Sequence, residues 1–161
     1  MSIAADNIDG WSVVDTLREG GGTRARVLRV NLGDRHAVLK DHEGCHPLFS
    51  LLLGPILARR ECKALTCLSS VDGVPLLIGR RGSRAPLMEW FSASPFTTLQ
   101  RDTEIWKLFF ISLAQRLHTL HQAGFAHCDP RSLNNVLVNS AGQAGLVDLV
   151  ARLCNGQRGT L

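Results

Sequence analysis

The apolar pattern of the chain changes period once, near Pro95, and that change restricts the accessible folds more than any other feature. Before Pro95 the apolar residues fall in short, β-branched runs broken by glycine. After Ser92-Ala93-Ser94-Pro95, residues Ile105, Phe109, Leu113, Leu117 and Leu120 recur at i+4 and i+3 spacings over sixteen residues. The first pattern belongs to strands, the second to one amphipathic helix. With 161 residues the chain has room for one domain or two small lobes. The reading is an α+β fold with a β-rich first part, a helical second part, and a hinge at the Pro95 region.

Within the first part, Arg24 to Lys40 holds two β-branched runs around Leu32-Gly33-Asp34-Arg35, the punctuation of a hairpin. Gly20-Gly21-Gly22 stands just before it. Leu57, Leu65 and Leu68 predict a helix over about 55 to 69, with Pro55 in its first turn. Val74 to Ile78 and Ala85 to Phe91 read as two more strands around the basic turn Gly79 to Arg84. The sum is an open sheet with one crossing helix. In the second part the long helix ends near Ala123-Gly124, and Val136-Leu137-Val138 and Leu146-Val147 flank the turn Asn139 to Gly142 as a terminal hairpin.

Hydrophobic residues make up 45% of the chain and charged residues 20%, which places it outside the composition of disordered chains. The net charge of +4 is scattered and not gathered in a block, and no aromatic residues interleave with Arg80, Arg81 and Arg84, so no nucleic-acid partner is expected. Five cysteines without a C-x-x-C pair predict reduced thiols and neither a disulfide framework nor a zinc ribbon. The stretch Met1 to Gly10 lacks the basic stretch and apolar run of a signal peptide, and the longest apolar stretch, Leu48 to Leu57, is half of what a bilayer span needs. A cytoplasmic location follows as the expectation, with peripheral membrane association left open.

Two constellations carry chemistry. Glu61 shares a helical face with Leu57 and Leu65, and a carboxylate there needs a cation; Lys40, at the end of the run Ala37-Val38-Leu39, is the natural one. The second is His127-Cys128-Asp129-Pro130-Arg131-Ser132-Leu133-Asn134-Asn135, followed by a hairpin and then Asp148-Leu149-Val150. Phosphoryl transfer needs one carboxylate to orient the accepting hydroxyl and oxygen ligands to hold magnesium, so acidic and amide side chains at both mouths of one hairpin suit it. His118 and His121, spaced i and i+3 on the long helix, have no third ligand and read as surface residues.

These residues resemble the protein-kinase-like fold, close to the small bacterial RIO-type and lipopolysaccharide-core kinases, over about residues 17 to 150. The resemblance implies a two-lobed fold: an N-lobe over about 11–91 with a five-stranded sheet and one helix, and a truncated helical C-lobe over about 96–161, with ATP and Mg²⁺ between them. It implies that Gly20, Gly21 and Gly22 cover the phosphates, that Lys40 contacts them and Glu61 positions Lys40, and that Met88-Glu89-Trp90 receives adenine. Asp129 then orients or deprotonates the acceptor hydroxyl, and Asp148 with Asn135 or Asn134 holds magnesium. The interval to Asp148 favours Asn135. The implied activity is transfer of the γ-phosphate of ATP to a protein serine or threonine, or to a sugar of the lipopolysaccharide core.

The chain departs from the family pattern in three places. The glycine cluster reads GGGTRA and not G-x-G-x-x-G, no glycine follows Asp148-Leu149, and only thirteen residues follow Asp148. The last two departures support a rival reading, a nucleotide-binding pseudokinase or truncated interaction module. They also lead to the expectation of a partner that covers the short C-lobe.

Overall fold

The computed structural model describes residues 10–98, 103–126, 135–149 and 152–153. The fold is mixed α+β. It divides into two compact units, one of Met1–Thr66 and Leu76–Trp90, the other of Cys67–Pro75 and Phe91–Leu161.

The first unit is a five-stranded antiparallel sheet: β1 (Trp11–Arg18), β2 (Arg26–Leu32), β3 (Arg35–Asp41), β4 (Leu77–Arg81) and β5 (Ala85–Glu89), in spatial order β1-β2-β3-β5-β4. The β2–β3 hairpin turns on Gly33-Asp34, with Leu32 opposite Arg35. That register sends Leu28, Val30, Ala37 and Leu39 to one face, where they bury with Ala85 and Leu87. The sheet is open, as the sequence suggests, with β1 and β4 as its edges, but it is strongly curled. Trp11 on one edge strand and Arg81 on the other would stand roughly 19 Å apart across four flat strand spacings, yet the Arg81 guanidinium lies 4.9 Å from the centre of the Trp11 ring. The sheet therefore curls over its apolar face, as twisted antiparallel strands do.

Two helices, not one, accompany this sheet: α1 (Pro47–Leu52) and α2 (Gly54–Cys67). The sequence hides α1 because its leucines do not follow a core period; the buried residue of that helix is Ser50. Helix α2 buries Ala58, Glu61, Ala64 and Leu65 on one face, as the spacing predicts.

In the second unit the long helix α3 (Thr103–Gln122) ends at Gly124, which takes φ +79°. Its spine is Phe109 and Leu120, both fully buried; Ile105 is more than a third exposed. A three-stranded antiparallel sheet follows the order β6-β8-β9, formed by β6 (Ala93–Pro95), β8 (Val136–Asn139) and β9 (Ala144–Leu146). Two short strands, β7 (Phe125–Ala126) and β10 (Arg152–Leu153), pair antiparallel. The Pro95 region is an edge strand of the second unit, a place where a residue without an N–H is tolerated. The division of the chain falls earlier, between Trp90 and Phe91.

The segment Cys67–Pro75 belongs to this second unit, although the sequence places it with the first. Leu146 N donates to Gly73 O at 2.8 Å, and Arg116 on α3 donates to Asp72 at 2.7 Å. Ser112 Oγ joins helix to sheet, donating to Phe109 O and accepting from Ala144 N, both at 2.9 Å.

Candidate functional site

Strand alternation fixes the candidate residues of the first unit. Ala37 and Leu39 point into the curled core, so Val38 and Lys40 project from the other face of β3. On that face Lys40 Nζ donates to Glu61 Oε1 of α2 at 3.0 Å. Both side chains are about nine-tenths buried or more. A lysine and a glutamate withdrawn together from water gain little net stability, because desolvation offsets most of their attraction. What the pair does achieve is to fix one ammonium group at one place on the sheet, tied to one turn of one helix. The Lys40–Glu61 pairing drawn from the sequence is present in the structure.

The same sheet face carries Met88, which is buried and opposite Val38, and Arg29, also opposite Val38. The Arg29 guanidinium lies 4.7 Å from the centre of the Trp90 ring. Trp90 therefore already has a cation on one ring face. Glu89 behaves differently: its register partner is Ala37, so it follows the alternation of the apolar face and not that of Lys40. Its N–H donates to Leu76 O at 2.8 Å, and its side chain remains exposed. Of the Met88-Glu89-Trp90 segment, Met88 and Trp90 share the Lys40 face and Glu89 does not.

The glycine cluster lies in the β1–β2 connection. Gly21 and Arg24 exchange two backbone hydrogen bonds, and Gly22 O accepts from His46 N at 2.8 Å. Gly20 is packed so closely that a Cβ there would stand 2.7 Å from Gly44 O. The loop is pinned to the Gly44–His46 segment at both ends of the cluster, and glycine at 20 is required by that approach as much as by any ligand.

In the second unit, Asn135 and Asp148 flank the β8–β9 hairpin as the sequence predicts. Val147 N donates to Asn135 O at 3.0 Å, which carries the ladder one step beyond Val136 and Leu146 and sets Asp148 immediately after the last bonded pair. Asn135 is buried. Asp148 has φ +59°, and among the described residues it is the non-glycine with positive φ. Left-handed backbone costs an ordinary L-residue about 1–2 kcal/mol, less for Asp. Held strain of this kind clusters at functional positions. One carboxylate with one amide oxygen is a donor set compatible with Mg²⁺, which takes one or two protein oxygens and completes its shell with water and phosphate. Among the described residues no three His, Cys, Asp or Glu side chains gather. Asp129 and Asn134 lie outside the described residues.

Sequence reasoning missed Asp41. It is fully buried next to Lys40, pairs with Arg26 directly across the ladder at 2.7 Å, and accepts from Glu43 N at 2.8 Å. The hydrogen bond to Asp41 holds the Arg26 pKa above its ordinary value. A signal existed: an acid ending a β-branched strand opposite an arginine is a cross-strand pair. Arg84, read as part of a basic turn, donates to Ser50 Oγ at 3.0 Å and pairs with Glu43 at 3.1 Å. His118 and His121 are exposed on α3, as read. No helix among the described residues is long and apolar enough to cross a membrane. Compared with known proteins, the chain matches no family model and no curated sequence.

Proposed function

We propose that this chain is an ATP- and Mg²⁺-dependent phosphotransferase of the protein-kinase-like type, acting on a hydroxyl acceptor. The observation that carries the reading is the buried Lys40–Glu61 pair, 3.0 Å long, which joins the third strand of a five-stranded antiparallel sheet to α2, the second of the two helices that follow it. A positioned lysine of this kind neutralises nucleotide phosphates, and Glu61 fixes its direction. Asn135 and Asp148 would hold Mg²⁺, which when bound neutralises charge on the transferring phosphoryl group. Asp129 would orient the acceptor hydroxyl. Catalysis in this reading is positioning and charge stabilisation.

A nucleotide-binding pseudokinase is the second reading, favoured by Leu149. It is buried directly after Asp148, and Val150 follows it in place of a glycine that would let the segment reorient.

The test is a thermal titration with ATP, with and without Mg²⁺, followed by a search for phosphate transfer to hydroxyl acceptors. The variants are Asp148→Asn and the pair Lys40→Met with Glu61→Gln, which leaves no charge stranded in the protein. Saturation at a hundredfold over Kd stabilises by about 2.7 kcal/mol, or several degrees in a chain of this size. The proposal expects a Mg²⁺-dependent shift lost in Asp148→Asn, and transfer lost in both variants. Nucleotide binding without transfer to any acceptor selects the pseudokinase. No shift with any nucleotide overturns both.

A further inference from the structure

We propose that the outward face of α1 and the start of α2 docks this protein on the surface of an anionic lipid bilayer. In α1 the usual arrangement of a surface helix is inverted. Ser50 is 3% exposed and faces the protein, whereas Leu48, Leu51 and Leu52 are 65%, 66% and 65% exposed. The spacing i, i+3, i+4 puts these three leucines on one face. Leu53 and Ile56 extend the apolar surface, each nearly half exposed. An outward apolar face of this density is costly in water and marks an interaction surface.

The charge around it selects the occupant. Ile56, Arg59, Arg60 and Lys63 follow one another at i, i+3, i+4 and i+7 along α2, and all four are exposed. From His46 to Cys67 the chain has one acidic residue, Glu61, and it is buried against Lys40. The acid preceding this stretch, Glu43, is paired with Arg84. Exposed apolar side chains followed along the chain by exposed cations, with no exposed acid between His46 and Cys67, are the two components of an interfacial anchor: burial of Leu and Ile at the acyl boundary, and attraction to anionic headgroups. Two-fold self-association would set this cationic face against its own copy, which its charge disfavours.

The platform is also preformed. Arg84 donates to Ser50 on the inner side of α1, and its side chain packs so closely on Gly54 that a Cβ there would stand 3.2 Å from Arg84 Cδ. The face is therefore held in place before any lipid is met. The Ile105, Leu108, Phe110 and Ile111 side chains of α3 are exposed as well, but Glu104 lies among them and no run of cations follows.

The experiment is co-sedimentation of the full chain with vesicles of pure phosphatidylcholine and of phosphatidylcholine with phosphatidylglycerol, at low and high salt. Binding is expected to the anionic vesicles, to weaken with salt, and to be nearly absent from the neutral ones. Leu51→Asp with Leu52→Asp should abolish it. Arg59→Gln with Arg60→Gln should weaken it on the order of twentyfold, at about fivefold per cation. Arg59→Lys with Arg60→Lys should retain it, and Leu108→Asp with Ile111→Asp should leave it unchanged. All substituted side chains are exposed, and circular dichroism checks each fold. Binding that survives the leucine change while following charge alone is adsorption and overturns the proposal. So does failure to bind anionic vesicles, with or without a lipid-free oligomer that the leucine change dissociates.

Discussion

Lys40–Glu61 in the first unit and Arg116–Asp72 in the second each join distant parts of the chain, and the two pairs are built on opposite terms. Lys40–Glu61 spans 3.0 Å with both side chains withdrawn from water. Arg116–Asp72 is shorter, at 2.7 Å, but Arg116 is 9% exposed at its side chain and Asp72 is 91% exposed. Water reaches the second pair through its carboxylate and screens it, so it acts as a latch on the Cys67–Pro75 segment and little more. The first pair cannot be explained as a latch, since two apolar residues of the same volume would hold β3 to α2 at least as well. Hydrogen-bond length does not rank the two. Burial of both ends does, and it points to Lys40 as the group whose position matters.

The largest effect should come from stranding one charge of the buried pair. Glu61→Ala leaves an ammonium group without its carboxylate and is expected to destabilise the first unit by about 3–5 kcal/mol. Lys40→Met combined with Glu61→Leu should restore stability to within about 1 kcal/mol of the parent, or exceed it. Urea unfolding followed by tryptophan fluorescence measures this, because Trp11 and Trp90 lie in the first unit and Trp106 in the second. If the double variant is as unstable as Glu61→Ala, the pair is structural and the contrast between the units disappears.

The latch in the second unit is weaker but has a stricter backbone. Gly73 has φ +80°, and a Cβ on it would overlap the Arg116 guanidinium. Arg116 is itself buried and has little room to retreat. Gly73→Ala is expected to cost about 2 kcal/mol, whereas Asp72→Asn should cost at most about 1 kcal/mol, as for a solvent-exposed pair. Equal losses for the two would mean that Asp72 carries more of the latch than its exposure allows.

A third comparison sits within one residue. Because Asp148 holds φ +59°, Asp148→Ala should destabilise by about 1 kcal/mol and Asp148→Gly by less, glycine having no left-handed penalty to meet. Both should lose the Mg²⁺-dependent nucleotide response if the proposed function is right. Retention of that response in either variant would separate the strain from magnesium.

These contrasts also mark what the sequence reveals and what it hides. The Gly33-Asp34 turn, the α3 stripe and the Lys40–Glu61 pairing are readable because each rests on local periodicity and the cost of burying a charge alone. Helix α1 is not, because its leucines face outward and obey no core period. The curl of the sheet is not, because Trp11 and Arg81 meet through accumulated twist and no spacing encodes it. The placement of Cys67–Pro75 in the second unit depends on Arg116, forty-four residues from Asp72, and a lone arginine on an apolar helix signals only that some partner exists. For the candidate site, residue types and order at Lys40, Glu61, Asn135 and Asp148 are legible, while the φ of Asp148 and the pairing of Trp90 with Arg29 are not.

The smallest expected effect concerns three thiols, and it probes how far the buried charge of α2 reaches. Cys67 is exposed, Cys62 is half-buried and Cys45 is buried. Burial, as the leading cause, holds the Cys45 and Cys62 thiols above their ordinary value of 9.0, with Asp41 adding to the effect at Cys45 and Glu61 adding at Cys62 while Arg80 opposes. The thiolate is the reactive form, so alkylation by iodoacetamide near pH 8 should proceed in the order Cys67, Cys62, Cys45, resolved by peptide mass mapping. A thiol whose pKa is raised on folding keeps its proton longer in the folded chain than in the unfolded one. Its contribution to stability is therefore complete below pH 9 and declines as the pH rises past the unfolded value, by at most about 1.4 kcal/mol per pH unit for each thiol. Glu61→Gln combined with Lys40→Met removes one of the charges that disfavour the Cys62 thiolate without stranding the other, so Cys62 should react modestly faster in that variant while Cys45 keeps its rate. Acceleration of both thiols together would mean that the variant has loosened the first unit, and the apparent independence of Cys45 from the Lys40–Glu61 pair would fail with it.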